Sequence, residues 1–346
     1  MSKNAFETFA PRILQSYHRN PNAFWEASLA PFLNRSPLIT LLKHSRLSIE
    51  MLQCFKNVHQ EAKSCLFRYG EPQGLNIWDW KSLQSKEEYF TDAYPIYAFL
   101  VIWLSENKLI DIIHRFGAIL EAVVYGIAGY GILDVLVDSN QMHAVQLLEA
   151  QRLINAYENV ILNVYGYNET NYAILHQIRD RFYEAEIKEK NSRFIQSPYA
   201  WDNPMQCGYK AIHLLTPFML ALKQLNREHQ IDLYFKVFFQ FGAVIQIIDD
   251  YKDLEEDLAI GHYAYMCLET EIAQKMASTK NQAELIHFIR SNKTSNMKVY
   301  RQCKQLIEES KMTLMELNDA FLMRIVEITE HRMNQYFTQD LSLNLE

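Results

Sequence analysis

Apolar residues recur three and four positions apart along most of the chain, which is the spacing of one face of an α-helix. Clusters of turn-forming residues interrupt this pattern at 69–74, 166–170 and 197–204. The chain is therefore predicted to be all-α. The predicted helices cover 89–163 with a break at 138–140, start again at Asn171, and then cover 205–226, 230–258, 268–290 and 296–337.

The composition supports long helices with few connections. The 346 residues include 10 glycines and 9 prolines, about half of their usual share, and 49% hydrophobic residues. This is enough apolar material for a large core. We expect residues 86–346 to form a helical bundle. Residues 1–85, which several prolines punctuate, are expected to form an N-terminal helical extension packed on the bundle as one structural unit.

Charge, cysteine spacing and the length of the apolar stretches indicate which partners and which compartment to expect. The net charge of -7 argues against nucleic-acid binding, which usually needs a basic face. The five cysteines lack C-x-x-C spacing and are expected to be free thiols in a reducing compartment. The start of the chain does not read as a signal peptide, so we expect a cytoplasmic location. The apolar stretches at 100–104 and 116–133 are short or interrupted by Glu121, which predicts core helices and no stable membrane insertion.

An acidic cluster follows the apolar stretch that begins at Gly242. Asp249, Asp253 and Asp257 lie at positions i, i+4 and i+8, which stack on one face of a helix. Like charges at this spacing repel by several tenths of a kcal/mol per pair. A hard divalent cation would offset this repulsion. We therefore predict a site for Mg²⁺, or for Mn²⁺ in its place, with ligands from Asp249, Asp250, Asp253 and Asp257.

A second acidic pair interrupts the apolar helix that ends near residue 138. Asp134 and Asp138 lie four residues apart among apolar neighbours, and lone buried carboxylates are costly. Acid pairs on two facing helices can hold Mg²⁺ ions that also bind a diphosphate. Metal binding would then stabilise the diphosphate as a leaving group. We predict that Asp134 and Asp138 are Mg²⁺ ligands as well.

Three short segments resemble motifs of the trans-isoprenyl diphosphate synthases. The string GAVIQIIDDYKD at 242–253 is similar to the second aspartate-rich motif of that family, G-x-x-F-Q-h-x-D-D-h-x-D, where h is apolar. GYKA at 208–211 resembles the Lys-Thr motif. DVLVD at 134–138 resembles the first motif, D-D-x-x-D, with Val135 in place of the second Asp. The resemblance covers about residues 90–340 and is most specific at 242–253.

The resemblance implies an isoprenoid-synthase helical bundle whose two acidic motifs face each other across a central apolar cavity. It implies that Lys210 contacts the diphosphate and that the protein is a homodimer. Aromatic rings in the cavity would stabilise a carbocation. The implied catalytic residues are Asp134, Asp138, Asp249 and Asp253, and the implied substrate-binding residues, besides Lys210, are Gln246, Arg332, Tyr130 and Phe239.

Departures from the family pattern indicate which of the family's reactions to expect. Chain-elongating members carry Gly-Lys-x-x-Arg-Pro before the first motif and Arg-Arg-Gly after it, whereas this chain reads SNQMH at 139–143. The site for isopentenyl diphosphate is therefore expected to be absent. This pattern looks like a Mg²⁺-dependent class I terpene synthase, a lyase that ionises one allylic prenyl diphosphate. The alternatives are a chain-elongating prenyltransferase and a non-catalytic partner subunit, which Val135 favours.

Other charged and apolar residues are expected to be structural. Arg181 precedes Glu184 by three residues in a stretch predicted to be solvated, which predicts an ion pair along the helix. The histidines form no H-x-x-x-H pair, and we assign them no role. The Met and Phe residues of 312–323 are expected to belong to the core.

Overall fold

The computed structural model describes residues 13–15, 17–19, 100, 102–107, 116–138, 144–210, 215–279 and 281–344. Within these residues the protein is helical, and its one β-type contact is an isolated bridge between Ala200 and Asn203. The prediction of an all-α protein is confirmed for this part of the chain. Nearly all of the predicted extension at 1–85 lies outside the described residues, so the division at residue 85 stays a prediction.

Ten α-helices make up most of the described structure. Short 3₁₀ helices at Pro204–Tyr209, Glu228–Gln230 and Tyr265–Leu268 connect some of them. The helices are α1 (Phe116–Asp138), α2 (Ala144–Tyr165), α3 (Glu169–Ser192), α4 (Thr216–Gln224), α5 (Ile231–Lys252), α6 (Leu254–Ala259), α7 (Thr270–Ser278), α8 (Gln282–Ser291), α9 (Lys293–Leu317) and α10 (Ala320–Gln339).

The chain divides into two compact units, and the first contains residues up to Leu175 together with Leu214–Leu225. Helices α1 and α2 pack against each other there, and Tyr130 meets Tyr157 edge to face with ring centroids 6.2 Å apart. The turn before α3 is held by Asn168, whose Oδ1 accepts a hydrogen bond from the Asn171 backbone N–H at 3.0 Å. Helix α3 therefore begins at Glu169, two residues before the predicted start.

The second unit contains His176–His213 and Asn226–Glu346 and is built around α5. This helix is buried around most of its circumference, as expected of a helix rich in apolar residues, while Leu233, Lys236 and Ile245 are exposed. It packs against α9, α10 and the 3₁₀ helix Pro204–Tyr209. Among the described residues, one helical stretch, Glu228–Lys252, has the length and composition of a membrane span, and 67% of its most apolar window is buried within the protein.

Several helices are shorter than the apolar periodicity predicts, because capping residues interrupt them. The predicted helix at 296–337 is two helices, since Asn318 adopts a left-handed φ of 52° and the Asp319 side chain accepts from the Leu322 backbone N–H. The predicted helix at 268–290 also divides, and Asn281 caps its second part. Within 205–226 the structure has a 3₁₀ helix and α4. Met312 and Met315 are exposed, so the expectation of a core stripe at 312–323 is wrong at these two positions.

Candidate functional site

The acidic end of α5 contains one deeply buried carboxylate. Asp250 is only 3% exposed, and its Oδ1 accepts a hydrogen bond from Gln246 Nε2 at 2.8 Å. Its Oδ2 is buried and has no hydrogen-bond partner among the described residues. Asp249 is half-exposed and lies 3.6 Å from Lys252 Nζ, whereas Asp253 is exposed. The buried face of this segment therefore carries Asp250 and Gln246.

A helix boundary interrupts the predicted stack of Asp249, Asp253 and Asp257. Helix α5 ends at Lys252 and α6 begins at Leu254, with Asp253 as the junction. Backbone hydrogen bonds still join the segments, because the Asp257 N–H donates to the Asp253 carbonyl at 2.9 Å. Asp257 lies seven residues after Asp250, which places both on the same side of two consecutive helical turns.

A reversal after α6 brings His262 back towards this buried face. Gly261 has a φ of +76°, a conformation that favours glycine, and an added Cβ there would lie 2.4 Å from the Phe194 ring. The backbone N–H of His262 donates to the Asp257 carbonyl at 2.8 Å. His262 is itself buried, and its Nε2 has no hydrogen-bond partner among the described residues. The loop thus fixes an imidazole close to the acids of α5 and α6.

Two glutamates of α3 complete an ionic cluster that the sequence analysis did not identify. Glu189 Oε1 lies 2.9 Å from His262 Nδ1 and 3.2 Å from Arg193 Nη2. Lys210 Nζ lies 3.0 Å from Glu189 Oε2 and 3.1 Å from Glu186 Oε1. The signal in the sequence was limited to spacing, since Phe182, Glu186, Glu189 and Arg193 recur at intervals that place them on one face of a helix. We call Glu186, Glu189, Arg193, Lys210 and His262 the ionic cluster.

Close backbone packing determines the position of Lys210. The preceding 3₁₀ helix lies directly on α5, and a Cβ added to Gly208 would lie 2.2 Å from the Phe239 carbonyl oxygen. Gly242 of α5 faces Gly208 at this contact. Tyr209 then packs edge to face on Phe239, with ring centroids 4.6 Å apart. The glycines of the two family-like segments thus serve one contact, which fixes the backbone next to Lys210.

Burial and charge shift the pKa values of the acids in opposite directions. Burial raises the pKa of Asp250 to about 6, against smaller opposing effects of His262 and Gln246. Burial and the charge of Asp250 raise the pKa of Asp257 to about 7. Burial also acts to raise the pKa of Glu189, but the hydrogen bond from His262 and the charge of Lys210 outweigh it and hold that pKa well below its ordinary value. At neutral pH the cluster therefore keeps Glu189 ionised.

His262 is driven towards its charged form by these acids. Burial acts to lower its pKa, but the hydrogen bond to Glu189 and the charges of Glu189, Asp250 and Asp257 together raise the pKa above the ordinary value. Each protonated cation of the ionic cluster thus faces at least one carboxylate. Asp250 is compensated by the charge of His262 and by Gln246, its one described hydrogen-bond donor.

The predicted Arg181–Glu184 ion pair is not formed within the described part of the chain. The Arg181 guanidinium instead lies over three rings, 5.1 Å from the Phe239 centroid, 5.7 Å from Phe235 and 5.9 Å from Tyr209. Cation–π attraction of this kind is worth about 0.5–2 kcal/mol. Phe239, which the resemblance implies at the substrate, is buried in this aromatic group.

The remaining predicted residues lie on other elements. Asp134 is half-buried on α1, and Asp138 is the last residue of that helix, with its side chain outside what the structure describes. Tyr130 is buried in the first unit, and Arg332 is half-buried on α10 in the second. Asp134 and Asp249 belong to different units. That the two acidic motifs face each other across a cavity therefore stays a prediction.

The acids at the end of α5 suit a cation that takes only part of its ligands from the protein. Among the described residues, no group of three His, Cys, Asp or Glu side chains converges to hold a metal ion. Mg²⁺ commonly takes one or two carboxylates and completes its shell with water and substrate phosphates. The unpartnered Asp250 Oδ2 and the half-exposed Asp249 are the oxygens that such an ion would use.

Comparison of the chain with protein-family models, with curated proteins and with solved structures gave no match. The local arrangement is therefore the basis for any assignment of function. Its central features are the buried Asp250, whose Oδ2 has no hydrogen-bond partner among the described residues, and the half-exposed Asp249 beside it. Lys210, which contacts two glutamates of α3, is the third.

Proposed function

We propose that the protein is a Mg²⁺-dependent class I terpene synthase, which ionises one allylic prenyl diphosphate and lets the resulting cation cyclise or rearrange within a single chain. The observation that carries this proposal is the buried Asp250, whose Oδ2 has no partner among the described residues although its pKa is raised only to about 6. Such a carboxylate is ionised at neutral pH and needs a positive counterpart.

Acids of both motifs would bind Mg²⁺, and Lys210 would bind the diphosphate. Asp249 and Asp250 would hold Mg²⁺ from the second acidic motif, with Asp253 beside them. Asp134 and Asp138 would do so from the first motif. Bound Mg²⁺ neutralises the charge of the departing diphosphate. Gln246 orients Asp250 through its 2.8 Å hydrogen bond. The Lys210 ammonium would bind the diphosphate after the lysine side chain has moved away from the two glutamates of α3.

The aromatic groups would supply the apolar part of the site. Allylic cations are quenched by water, so a dry lining is needed for cyclisation. The buried Phe239 packs against Tyr209, the residue before Lys210, and Tyr130 on α1 packs against Tyr157. Aromatic faces stabilise a nearby cation by up to about 2 kcal/mol when dry. We further propose that the enzyme acts as a cytoplasmic homodimer.

Product analysis tests this proposal. The purified protein is incubated with C10, C15, C20 and C25 allylic diphosphates and Mg²⁺, and the products are separated by gas chromatography and identified by mass spectrometry. We expect a hydrocarbon or alcohol from one of the substrates, dependent on Mg²⁺ or Mn²⁺ and abolished by a chelator. Full turnover after exhaustive chelation would refute the metal-dependent mechanism.

Substitution of the acids distinguishes a catalytic role from a structural one. Asp249 is half-exposed, so Asp249→Ala is expected to preserve the fold while reducing turnover by orders of magnitude. Glu255→Ala, at an exposed acid of α6, is the matched control and is expected to retain turnover. Unfolding of Asp249→Ala would assign this residue to stability instead.

A further inference from the structure

Lys210 lies between two buried glutamates of α3. Its Nζ is 3.0 Å from Glu189 Oε2 and 3.1 Å from Glu186 Oε1. Both glutamates are 3% exposed, whereas the Lys210 side chain is 18% exposed. The lysine is thus the member of this group that solvent reaches. An anion that approaches it must compete with two carboxylates.

Glu189 contacts two other cations besides Lys210. Its other oxygen, Oε1, contacts Arg193 and His262 at 3.2 and 2.9 Å. Removing the partner of a buried charge is normally costly because the charge is left uncompensated. Here the departure of Lys210 leaves Glu189 with two cations. The ion pair between Glu189 and Lys210 is therefore easier to exchange than an isolated buried pair.

The backbone at Lys210 is fixed, so an exchange involves its side chain. Gly208 lies directly on α5 and Tyr209 packs on Phe239, which anchors the two residues before the lysine. The side chain itself is a flexible four-carbon stem that ends in a compact charge. Rotation of this stem would move the ammonium away from α3 without a change in the fold.

We propose that Glu186 and Glu189 form a latch that holds Lys210 until a Mg²⁺-bound diphosphate competes for its ammonium. This inference rests on the proposed function, because it takes the ligand of Lys210 to be a diphosphate. The latch keeps the charge of Lys210 compensated while no ligand is bound. It also lowers the affinity for diphosphate, since part of the binding energy is used to break the two ion pairs.

Calorimetric titration of Mg²⁺ and inorganic diphosphate into the full chain tests the latch. Glu186→Gln removes one carboxylate and keeps the shape of the side chain, so we expect binding about tenfold tighter than in the unmodified protein. Glu184→Gln, at an exposed acid on the same helix, is the matched control and is expected to change the affinity less than about twofold.

A double-mutant cycle separates release of Lys210 from a general change in charge. In a Lys210→Met background the affinity is expected to be weaker, and Glu186→Gln should then give no gain. If the gain persists without the lysine, the glutamate acts through its long-range field and the latch is wrong. Unfolding of Glu186→Gln would move the test to Glu186→Asp, whose shorter side chain should give a smaller gain in the same direction.

The outcomes for the latch and for the proposed function are distinct. Unchanged or weaker binding by a folded Glu186→Gln variant overturns the latch and leaves the proposed function in place, provided that the unmodified protein binds. Absence of binding in every variant overturns the role of Lys210 as a diphosphate contact, and the latch with it.

Discussion

Replacing Asp250 by Asn should stabilise the protein, and the gain should depend on pH. Asp250 is 3% exposed, and its Oδ2 has no hydrogen-bond partner among the described residues. Burial raises its pKa from 3.8 to about 6, so folding opposes ionisation of this group. Asn has the same shape and no charge, and its side-chain oxygen can keep the hydrogen bond from Gln246. The variant therefore removes an electrostatic cost and leaves the packing unchanged.

The size of this effect follows from the two pKa values. The difference between 3.8 and about 6, at about 1.36 kcal/mol per pKa unit, corresponds to a cost of about 3 kcal/mol when Asp250 is fully ionised. Because the folded-state pKa is raised, the cost is nearly absent below the unfolded pKa, grows between about pH 4 and 6, and is complete above about pH 6. The pKa of about 6 already includes the attraction to His262. In the variant the buried Asn Nδ2 takes the place of Oδ2 without a described acceptor, which offsets part of the gain and leaves about 2 kcal/mol at pH 8.

Urea denaturation at pH 4, 6 and 8 measures this prediction. The free energy of unfolding of Asp250→Asn should exceed that of the unmodified protein by about 2 kcal/mol at pH 8 and by less than about 0.5 kcal/mol at pH 4. Glu255→Gln, at an exposed acid of α6, is the control and should change the free energy of unfolding little at each pH. A difference that does not vary with pH, or a loss of stability at pH 8, would refute the reasoning that folding opposes the ionisation of Asp250.

Further predictions concern packing, capping and metal dependence. Gly208→Ala should destabilise the protein by more than about 3 kcal/mol in urea denaturation, because its Cβ would lie 2.2 Å from the Phe239 carbonyl oxygen. Gly242→Ala should be neutral or stabilising, since its nearest contact would be 3.7 Å away and alanine favours a helix. Tyr234→Phe should cost about 1–2 kcal/mol, because it removes the 2.9 Å hydrogen bond to the buried Asp319 that caps α10. In thermal denaturation, Mg²⁺ with inorganic diphosphate should raise the melting temperature, whereas either component alone should have a smaller effect.

The helical class could be predicted because its signal is repeated along the chain. Apolar spacing of three and four residues recurs in every described helix of the second unit, whereas each boundary depends on one or two residues. The caps at Asn281 and Asp319 were present in the sequence as residues that favour helix starts. The apolar pattern continues across them, so periodicity alone predicted longer helices.

The candidate site was predictable in part. The acidic end of α5 was visible in the sequence, but which acid is buried depends on the direction of the helix face, and the structure buries Asp250. Glu186 and Glu189 resemble solvated helix residues in a charged stretch, and His262 has no local motif. Their association depends on the reversal at Gly261 and on the packing of Gly208 against α5, which are long-range features.

Release of inorganic diphosphate from an allylic diphosphate, measured without isopentenyl diphosphate, tests whether the protein is a terpene synthase. We predict one diphosphate released for each molecule of hydrocarbon or alcohol formed, with Mg²⁺ required and no stimulation by isopentenyl diphosphate. Formation of a longer prenyl diphosphate as the main product, only when isopentenyl diphosphate is added, would contradict it in favour of chain elongation. Binding of Mg²⁺ and diphosphate without turnover of any allylic substrate would contradict it in favour of a non-catalytic partner subunit.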